Sequence, residues 1–225
     1  MVMKNKVLVI VAHPDDEVLG LGGTLIKHKK AGDDIYCLIL ANGCTSRDNV
    51  NKKEIELKEK CSNDCAKILG IKEIIKLRFK DNELDFYTLL EITKEIEKYI
   101  VRIKPDIIYT HHFGDVNIDH QIVYKSVMTA CRPCNDNCPK KIYSFETLSS
   151  TEWQLNNNDL FKPNVFIDIS KEIHEKIEAL RCYDSEMRKY PHSRSYKGIM
   201  VLSQFRGMQS GFMKAEAFCL VREKI

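Results

Sequence analysis

No apolar run in this chain is long enough to cross a bilayer as a helix. The opening stretch, MVMKNKVLVIVAHPDDE, meets acidic side chains after a short apolar run and lacks the pattern of a secretory leader. An excess of charge of one sign is lacking, with 35 Lys and Arg against 32 Asp and Glu. A net +3 is too small to direct the protein to nucleic acid or to an anionic membrane surface. There is no internal repeat, low-complexity tract or linker. The string GLGG at Gly20 to Gly23 is not a G-x-G-x-x-G fingerprint and lies too far past the preceding turn, so a dinucleotide site is not expected there. These absences leave a cytoplasmic, single-domain protein as the expectation. Its 225 residues, 44% hydrophobic and 30% charged, suffice for a sizeable core.

Cysteine is not scarce: there are nine. Without a leader they are expected to be reduced thiols. Cys37, Cys61, Cys65, Cys182 and Cys219 fall within apolar patterns and read as small buried hydrophobes. Cys131, Cys134 and Cys138 form C-x2-C-x3-C, a candidate set of three ligands for a structural zinc.

Apolar runs at 6–11, 35–40, 74–77, 106–110 and 143–145 alternate with helical patterns. That rhythm predicts an α/β fold, a Rossmann-like, doubly wound and mostly parallel sheet of order 3-2-1-4-5, over about 1–146. Residues 147–225 break the rhythm. They are expected to add strands near 165–169 and 215–221, two helices and a cap, with Ser170 capping the first helix. Three glycines inside the first helix cost stability and predict close approach of another backbone.

Two polar stretches stand out. AHPDDE, Ala12 to Glu17, follows the first strand, and HHFGDVNIDHQ, His111 to Gln121, follows the fourth. In the expected strand order they occupy the two lips of one crevice at the topological switch point. His13 and Asp16 are three apart and share a face if the turn is helical, whereas Asp15 is rotated away. The spacing therefore predicts His13 and Asp16 on a metal with Asp15 unligated beside it. His120 is the expected third ligand, with His111 and His112 as second choices. Two imidazoles and a carboxylate suit zinc, one per chain, although iron, cobalt or manganese also accept such a set. Asp119 reads as a residue that orients its neighbour. Glu17 reads as a first-turn acid, and His28 as an exposed helix-end cation.

AHPDDE and DVNIDH, with FETLSSTEW, YPHSRS, Arg206-Gly207 and AEAF further on, resemble the PIG-L/LmbE-like family of zinc-dependent N-deacetylases acting on N-acetylglucosaminyl compounds. The resemblance covers nearly the whole chain. It implies His13, Asp16 and His120 as ligands and Asp15 as general base, with Asp119 and Asn117 completing the catalytic group. Many members carry His where this chain has Asn117. An amide can donate a hydrogen bond to an oxyanion but cannot deliver a proton at neutral pH, so the acid falls to Asp15 or to another histidine such as His192. Arg47, His112, Asp115, Arg188, His192 and Arg194 are the candidate contacts to the rest of a small amino-sugar substrate. The expected reaction is hydrolysis of its acetamide. Homo-oligomers fit the resemblance; nucleic acid and membrane insertion do not. The competing readings are a metal-dependent hydrolase of a phosphoester and a non-catalytic sugar- or nucleotide-binding module.

Overall fold

A computed structural model describes residues 4–41 and 52–225, with side chains from position 56 onward in the helix that opens at Lys52. β1 (Lys6–Val11), α1 (Asp16–Ala31), β2 (Asp34–Ala41), α2 (Lys52–Leu69) and β3 (Ile71–Phe79) form the first half of the winding. α3 (Leu89–Ile103), β4 (Ile107–His111), α4 (Ile118–Ala130) and β5 (Lys141–Phe145) form the second. β6 (Val165–Asp168), α5 (Ile173–Arg181), α6 (Tyr196–Ser210) and β7 (Ala215–Glu223) complete the chain.

The sheet runs β3-β2-β1-β4-β5-β7-β6. Its first five strands are parallel, and β7 is antiparallel to both β5 and β6. The expected order 3-2-1-4-5 is present. The last third does more than cover the sheet, because β7 and β6 extend it.

β1 shows why the sheet is covered on both faces. Val7, Val9 and Val11 point into one core with Leu25 of α1, Leu69 of α2, Leu180 of α5 and Ile199 of α6. Leu8 and Ile10 point into the other, with Ile96 and Ile100 of α3 and Val127 of α4. A strand buried on both sides reads as a continuous apolar run, and β1 does. α3 begins at Thr88 through a reciprocal capping box with Glu91.

Three local expectations change. The glycines of α1 do admit close neighbours, but these are side chains rather than backbone. A Cβ at Gly20 would overlap the Phe145 ring, and one at Gly23 would lie 2.7 Å from Cγ2 of Ile169. Ser170 does not cap α5. Its hydroxyl donates to Asp168, and the helix starts later, after Glu172. His28 is not a free cation, since Nδ1 pairs with Asp33 at 2.7 Å and Nε2 with the buried Tyr109 hydroxyl at 3.0 Å.

The C-x2-C-x3-C sulfurs do not converge. Cys131 is buried at the end of α4, Cys134 is exposed, and the described cysteines are all free. Among the described residues, the groups close enough to share an ion come from His and Asp alone. Arg222 of β7 ties this loop down instead, donating to the Cys131 carbonyl and, at 3.4 Å, to the Cys138 sulfur.

Candidate metal centre

β1 and β4 are neighbours and end at the same edge, so the loops that follow them face each other. The link is direct: the Ala12 N–H donates to Nε2 of His111 at 2.9 Å. The chain then turns sharply. Asp15 adopts a left-handed conformation, φ 96° and ψ −22°, and its carbonyl accepts the first N–H bonds of α1. That conformation is uncommon for a non-glycine residue and separates the Asp15 carboxylate from the Asp16 carboxylate. Asp16 folds back instead, accepting the His13 N–H on Oδ2 at 2.9 Å.

The other lip is built by α4. Asn117 caps it, its side-chain carbonyl accepting the N–H of Asp119 at 2.8 Å and of His120 at 3.3 Å. His120 thereby points across the crevice. Its Nε2 stands 3.4 Å from Asp16 Oδ2, and His13 Nδ1 stands 3.4 Å from the same oxygen. His13, Asp16 and His120 thus offer two nitrogens and one oxygen within 4.8 Å of one another.

Each imidazole has a carboxylate behind it. His13 Nε2 lies 3.0 Å from Asp119 and 3.1 Å from Asp81. His120 Nδ1 lies 3.2 Å from Asp115. This arrangement fixes tautomers and ring orientation in metal sites. Burial opposes charge on His120, but Asp16 and Asp115 outweigh it and raise its pKa to about 9. Burial opposes charge on His13 as well, yet Asp119, Asp16 and Asp81 hold its pKa well above the usual imidazole range. The pocket therefore calls for positive charge between these rings. A divalent ion would satisfy that demand and release both imidazoles to bind it, so donor set and electrostatics fit a metal.

His111 is excluded as a ligand in this arrangement, because its Nε2 lone pair already accepts the Ala12 N–H. Burial, with His120 stacked on it at 3.8 Å between ring centroids, lowers its pKa to about 4. It is a neutral strut beneath His120.

Asp15 lies apart from the cluster. Its Oδ2 accepts a bond from Nη1 of Arg194 at 3.0 Å, while Nε of Arg194 donates to Ser149 Oγ at 3.0 Å. Burial raises the Asp15 carboxyl to about 7 against the pull of that guanidinium. Glu17 sits deeper and is fully enclosed. Burial and the nearby Asp15 raise it to about 8, and it accepts bonds from the Asp15 N–H and the Tyr183 hydroxyl. It is more than a first-turn acid: it is a floor under Asp15.

The remaining expected site residues divide. Asp119 is buried behind His13. Its carboxylate holds His13 and the N–H groups of Asn82 and Leu84, at 2.8 and 3.1 Å. Asp115 is completely buried. It receives Ser150, Thr151 and the Asn117 N–H, and it backs His120. His112 is buried with Nε2 on the Asp159 carbonyl at 2.9 Å. Arg188 turns away, donating to the Ser185 and Met187 carbonyls. His192 lies at the rim, its Nδ1 accepting the Arg194 N–H at 3.1 Å. Arg47 lies outside the described residues. The sequence reading passed over Asp81, Ser149 and Ser150. Asp81 had a signal, since it opens the turn after β3 at the same sheet edge.

These features make a candidate metal site at the carboxyl edge of a Rossmann-like sheet. A family model described as PIG-L: GlcNAc-PI de-N-acetylase matches residues 8–131. The chain is 30% identical to the diacetylchitobiose deacetylase of Thermococcus kodakarensis, over 96% of this chain and 83% of that protein. It is 24% identical to a probable N-acetyl-alpha-D-glucosaminyl L-malate deacetylase 2 of Bacillus anthracis, over 82% and 83%. Among solved structures, the N,N'-diacetylchitobiose deacetylase of Pyrococcus horikoshii superposes with a TM-score of 0.78 at 22% identity, covering 96% of this chain and 84% of that one. The hydratase GalB superposes with a TM-score of 0.75 at 18% identity, covering 99% and 98%, so the fold also carries other chemistry. The chain belongs to the PIG-L (LmbE-like) deacetylase family.

Proposed function

We propose that this protein is a metal-dependent sugar N-deacetylase that hydrolyses the acetamide of an N-acetylglucosaminyl compound to acetate and a free amine. One observation carries the reading: His13, Asp16 and His120 converge, while the Asp15 carboxylate beside them stays out of the cluster. A binding module has no need of an unligated buried carboxylate at that place.

In this reading His13 Nδ1, Asp16 and His120 Nε2 hold a divalent ion, and we assign it as zinc from the two-imidazole, one-carboxylate set. Such an ion supplies Lewis-acid polarisation of the amide carbonyl and a nucleophile at neutral pH. Asp15 takes the proton of the attacking water, and a pKa of about 7 suits a general base. Its left-handed backbone keeps the carboxylate aimed past the ligands. Arg194 steadies the carboxylate and is one donor to the developing oxyanion; the Asn117 amide group is another. When the C–N bond breaks, Asp15 returns its proton to the departing nitrogen, so no histidine is required at position 117. His13 also faces Asp81 and Asp119, but through Nε2, and with Nδ1 on the ion that nitrogen would be the N–H donor to those carboxylates. That favours one ion over a two-metal phosphoesterase.

The purified protein should contain about one divalent metal per chain. It should release acetate from at least one of N-acetylglucosamine, N,N'-diacetylchitobiose and N-acetylglucosaminyl malate, stop after chelation, and resume on adding zinc. A metal-loaded protein that leaves every acetamide intact and cleaves a phosphoester would overturn the reading. Among the described residues, no helix is long and apolar enough to cross a membrane.

A further inference from the structure

The stretch FETLSSTEW supplies the loop that follows β5, and its hydroxyls divide between two tasks. Thr147 Oγ1 lies 3.5 Å from Nδ1 of His111, and Ser150 and Thr151 donate to Asp115, the carboxylate behind His120. These three serve the ligand side of the site. Ser149 serves the base side. Its Oγ accepts Nε of Arg194 at 3.0 Å, and Nη1 of the same guanidinium holds Asp15 at 3.0 Å. The reversal is made in the backbone, where Ser149 has φ 67°, in the left-handed region.

That conformation disfavours serine, whose Cβ crowds the backbone carbonyl, whereas glycine adopts it freely. Four described residues other than glycine share a positive φ: Asp15, Asn82, Lys104 and Ser149. Lys104 ends α3. The other three meet at the site, Asn82 through its N–H on Asp119, Asp15 and Ser149 on one guanidinium. Unfavourable backbone persists where its surroundings fix it from several sides, and around Ser149 they do. Glu152 accepts the N–H of Ser149 at 2.7 Å and that of Ser150 at 3.1 Å. The Thr151 N–H closes the loop on the Thr147 carbonyl at 2.9 Å. At the start of the loop, Glu146 takes two bonds from the Arg206 guanidinium of α6, at 2.7 and 2.6 Å. Arg194 stands just before the same helix, so this one segment grips the loop at Glu146 and again at Ser149.

We propose that Ser149 is a positioning residue for the general base: its Oγ fixes Arg194, and Arg194 fixes the Asp15 carboxylate. The hydroxyl thereby acts on the reaction without touching substrate. The proposal rests on the deacetylase reading of the metal centre. Backbone and hydroxyl make opposite demands at this position. Glycine suits φ 67° better than serine but brings no acceptor, so a residue serving only the shape of the turn could be glycine without loss. Deleting Oγ removes one of two hydrogen bonds that set the plane of the guanidinium.

The test compares zinc-loaded wild type with Ser149→Gly, Ser149→Ala and Arg194→Ala. Acetate release is followed from N-acetylglucosamine, N,N'-diacetylchitobiose and N-acetylglucosaminyl malate, and stability by urea unfolding. Proton exchange of the Arg194 Nε–H is followed by NMR, the resonance being assigned by its loss in Arg194→Ala. Ser149→Gly and Ser149→Ala should both lower kcat by about threefold to tenfold, the worth of one net hydrogen bond, with KM and zinc content close to wild type. Their stabilities should differ, the glycine variant having the higher urea midpoint because alanine keeps the strained turn. Exchange of the Arg194 Nε–H should quicken by about tenfold in both. In the Arg194→Ala background, Ser149→Gly should cost no further kcat. A kcat that follows the urea midpoint, wild-type in Ser149→Gly and low in Ser149→Ala, would overturn the proposal, since the turn and not the oxygen would then matter. So would a loss confined to KM, an unmoved Nε–H exchange, or an equal loss with and without Arg194. The two readings fail separately. Acetate release by the wild type with kcat unmoved in Ser149→Gly removes the positioning role and keeps the deacetylase. No acetate from the wild type, with exchange quickened in Ser149→Gly, removes the deacetylase and keeps Ser149 as the residue that sets Arg194.

Discussion

Asp15 and Arg194 stand 3.0 Å apart across 179 positions of sequence. The contact joins the turn after β1 to the loop before α6, and it gives Arg194 a task other than gripping a distant part of the substrate. If Arg194 serves Asp15, Arg194→Ala lowers kcat by about tenfold to a hundredfold and leaves KM and metal content close to wild type. Arg194→Lys recovers part of the loss, since an ammonium keeps the charge but cannot hold Asp15 and Ser149 together in one planar fork. A raised KM with unchanged kcat would return Arg194 to substrate binding. Asp15→Asn should keep its metal and lose about 10²–10⁴ in kcat, as expected for removal of a general base.

Asp115 tests the second division of roles. It is fully buried and its carboxylate lies 3.2 Å from His120 Nδ1. Asp115→Asn should therefore weaken metal affinity by about 10–100-fold, read by competition with a chelator. Activity at saturating metal should largely return. A variant with normal metal affinity and a raised KM would make Asp115 a substrate contact after all.

His112 gives a pH signature. It is buried on the Asp159 carbonyl, and burial lowers its pKa below the ordinary imidazole value. The unfolded chain therefore binds a proton below about pH 6.5 that the folded chain refuses, and stability falls as the pH drops toward the folded value. The contribution is fully present at neutral pH. The urea midpoint of the wild type should fall more steeply between about pH 7 and pH 5 than that of His112→Gln. Parallel slopes would show that His112 is not held neutral.

Patterns local in sequence were legible before the structure. The strand-helix alternation gave the order of five strands, and the three-residue spacing of His13 and Asp16 gave two members of the cluster. His120 followed because α4 opens opposite α1. What escaped was set by through-space packing. Asp81 reaches His13 from the end of β3, and Arg194 reaches Asp15 from the last third of the chain; no spacing encodes either approach. The motif at Cys131, Cys134 and Cys138 misled for the converse reason. Its spacing suits a metal, but α4 carries Cys131 into the core while the turn carries Cys134 into solvent. Asp115 and His112 sit in the right stretch of sequence yet point inward, which the stretch alone does not reveal.

Gly20 links packing to the site. A methyl group there would overlap the Phe145 ring, which is fully buried and lies 5.2 Å from His111, the strut stacked on His120. The gain in helix propensity from Gly20→Ala, up to about 1 kcal/mol, should be outweighed by overpacking of about 1–3 kcal/mol. Metal affinity should fall with stability, because displacing Phe145 displaces His111. Adding Phe145→Leu should restore part of both, a coupling that a double-mutant cycle in urea measures directly. Additive effects would sever the proposed link.

α1 is kinked at Leu21, whose φ of −144° breaks the regular turn and leaves donors facing inward. Glu216 of β7 receives them. Its carboxylate accepts the N–H of Gly23 at 2.9 Å, the N–H of Thr24 at 2.7 Å and the Thr24 hydroxyl at 2.6 Å, and it pairs with Lys176 of α5 at 2.7 Å. Both charged side chains are 5% exposed. Glu216→Leu strands a buried ammonium and two backbone donors together, and should cost about 3–5 kcal/mol in urea unfolding. Glu216→Gln keeps an acceptor for α1 and should cost less. The informative variant is Glu216→Leu with Lys176→Met. If the ion pair alone mattered, the double change would return to wild-type stability. Because the freed N–H groups of Gly23 and Thr24 remain unpaired, it should stay about 1–3 kcal/mol below it. Full recovery would show that α1 satisfies those donors without β7.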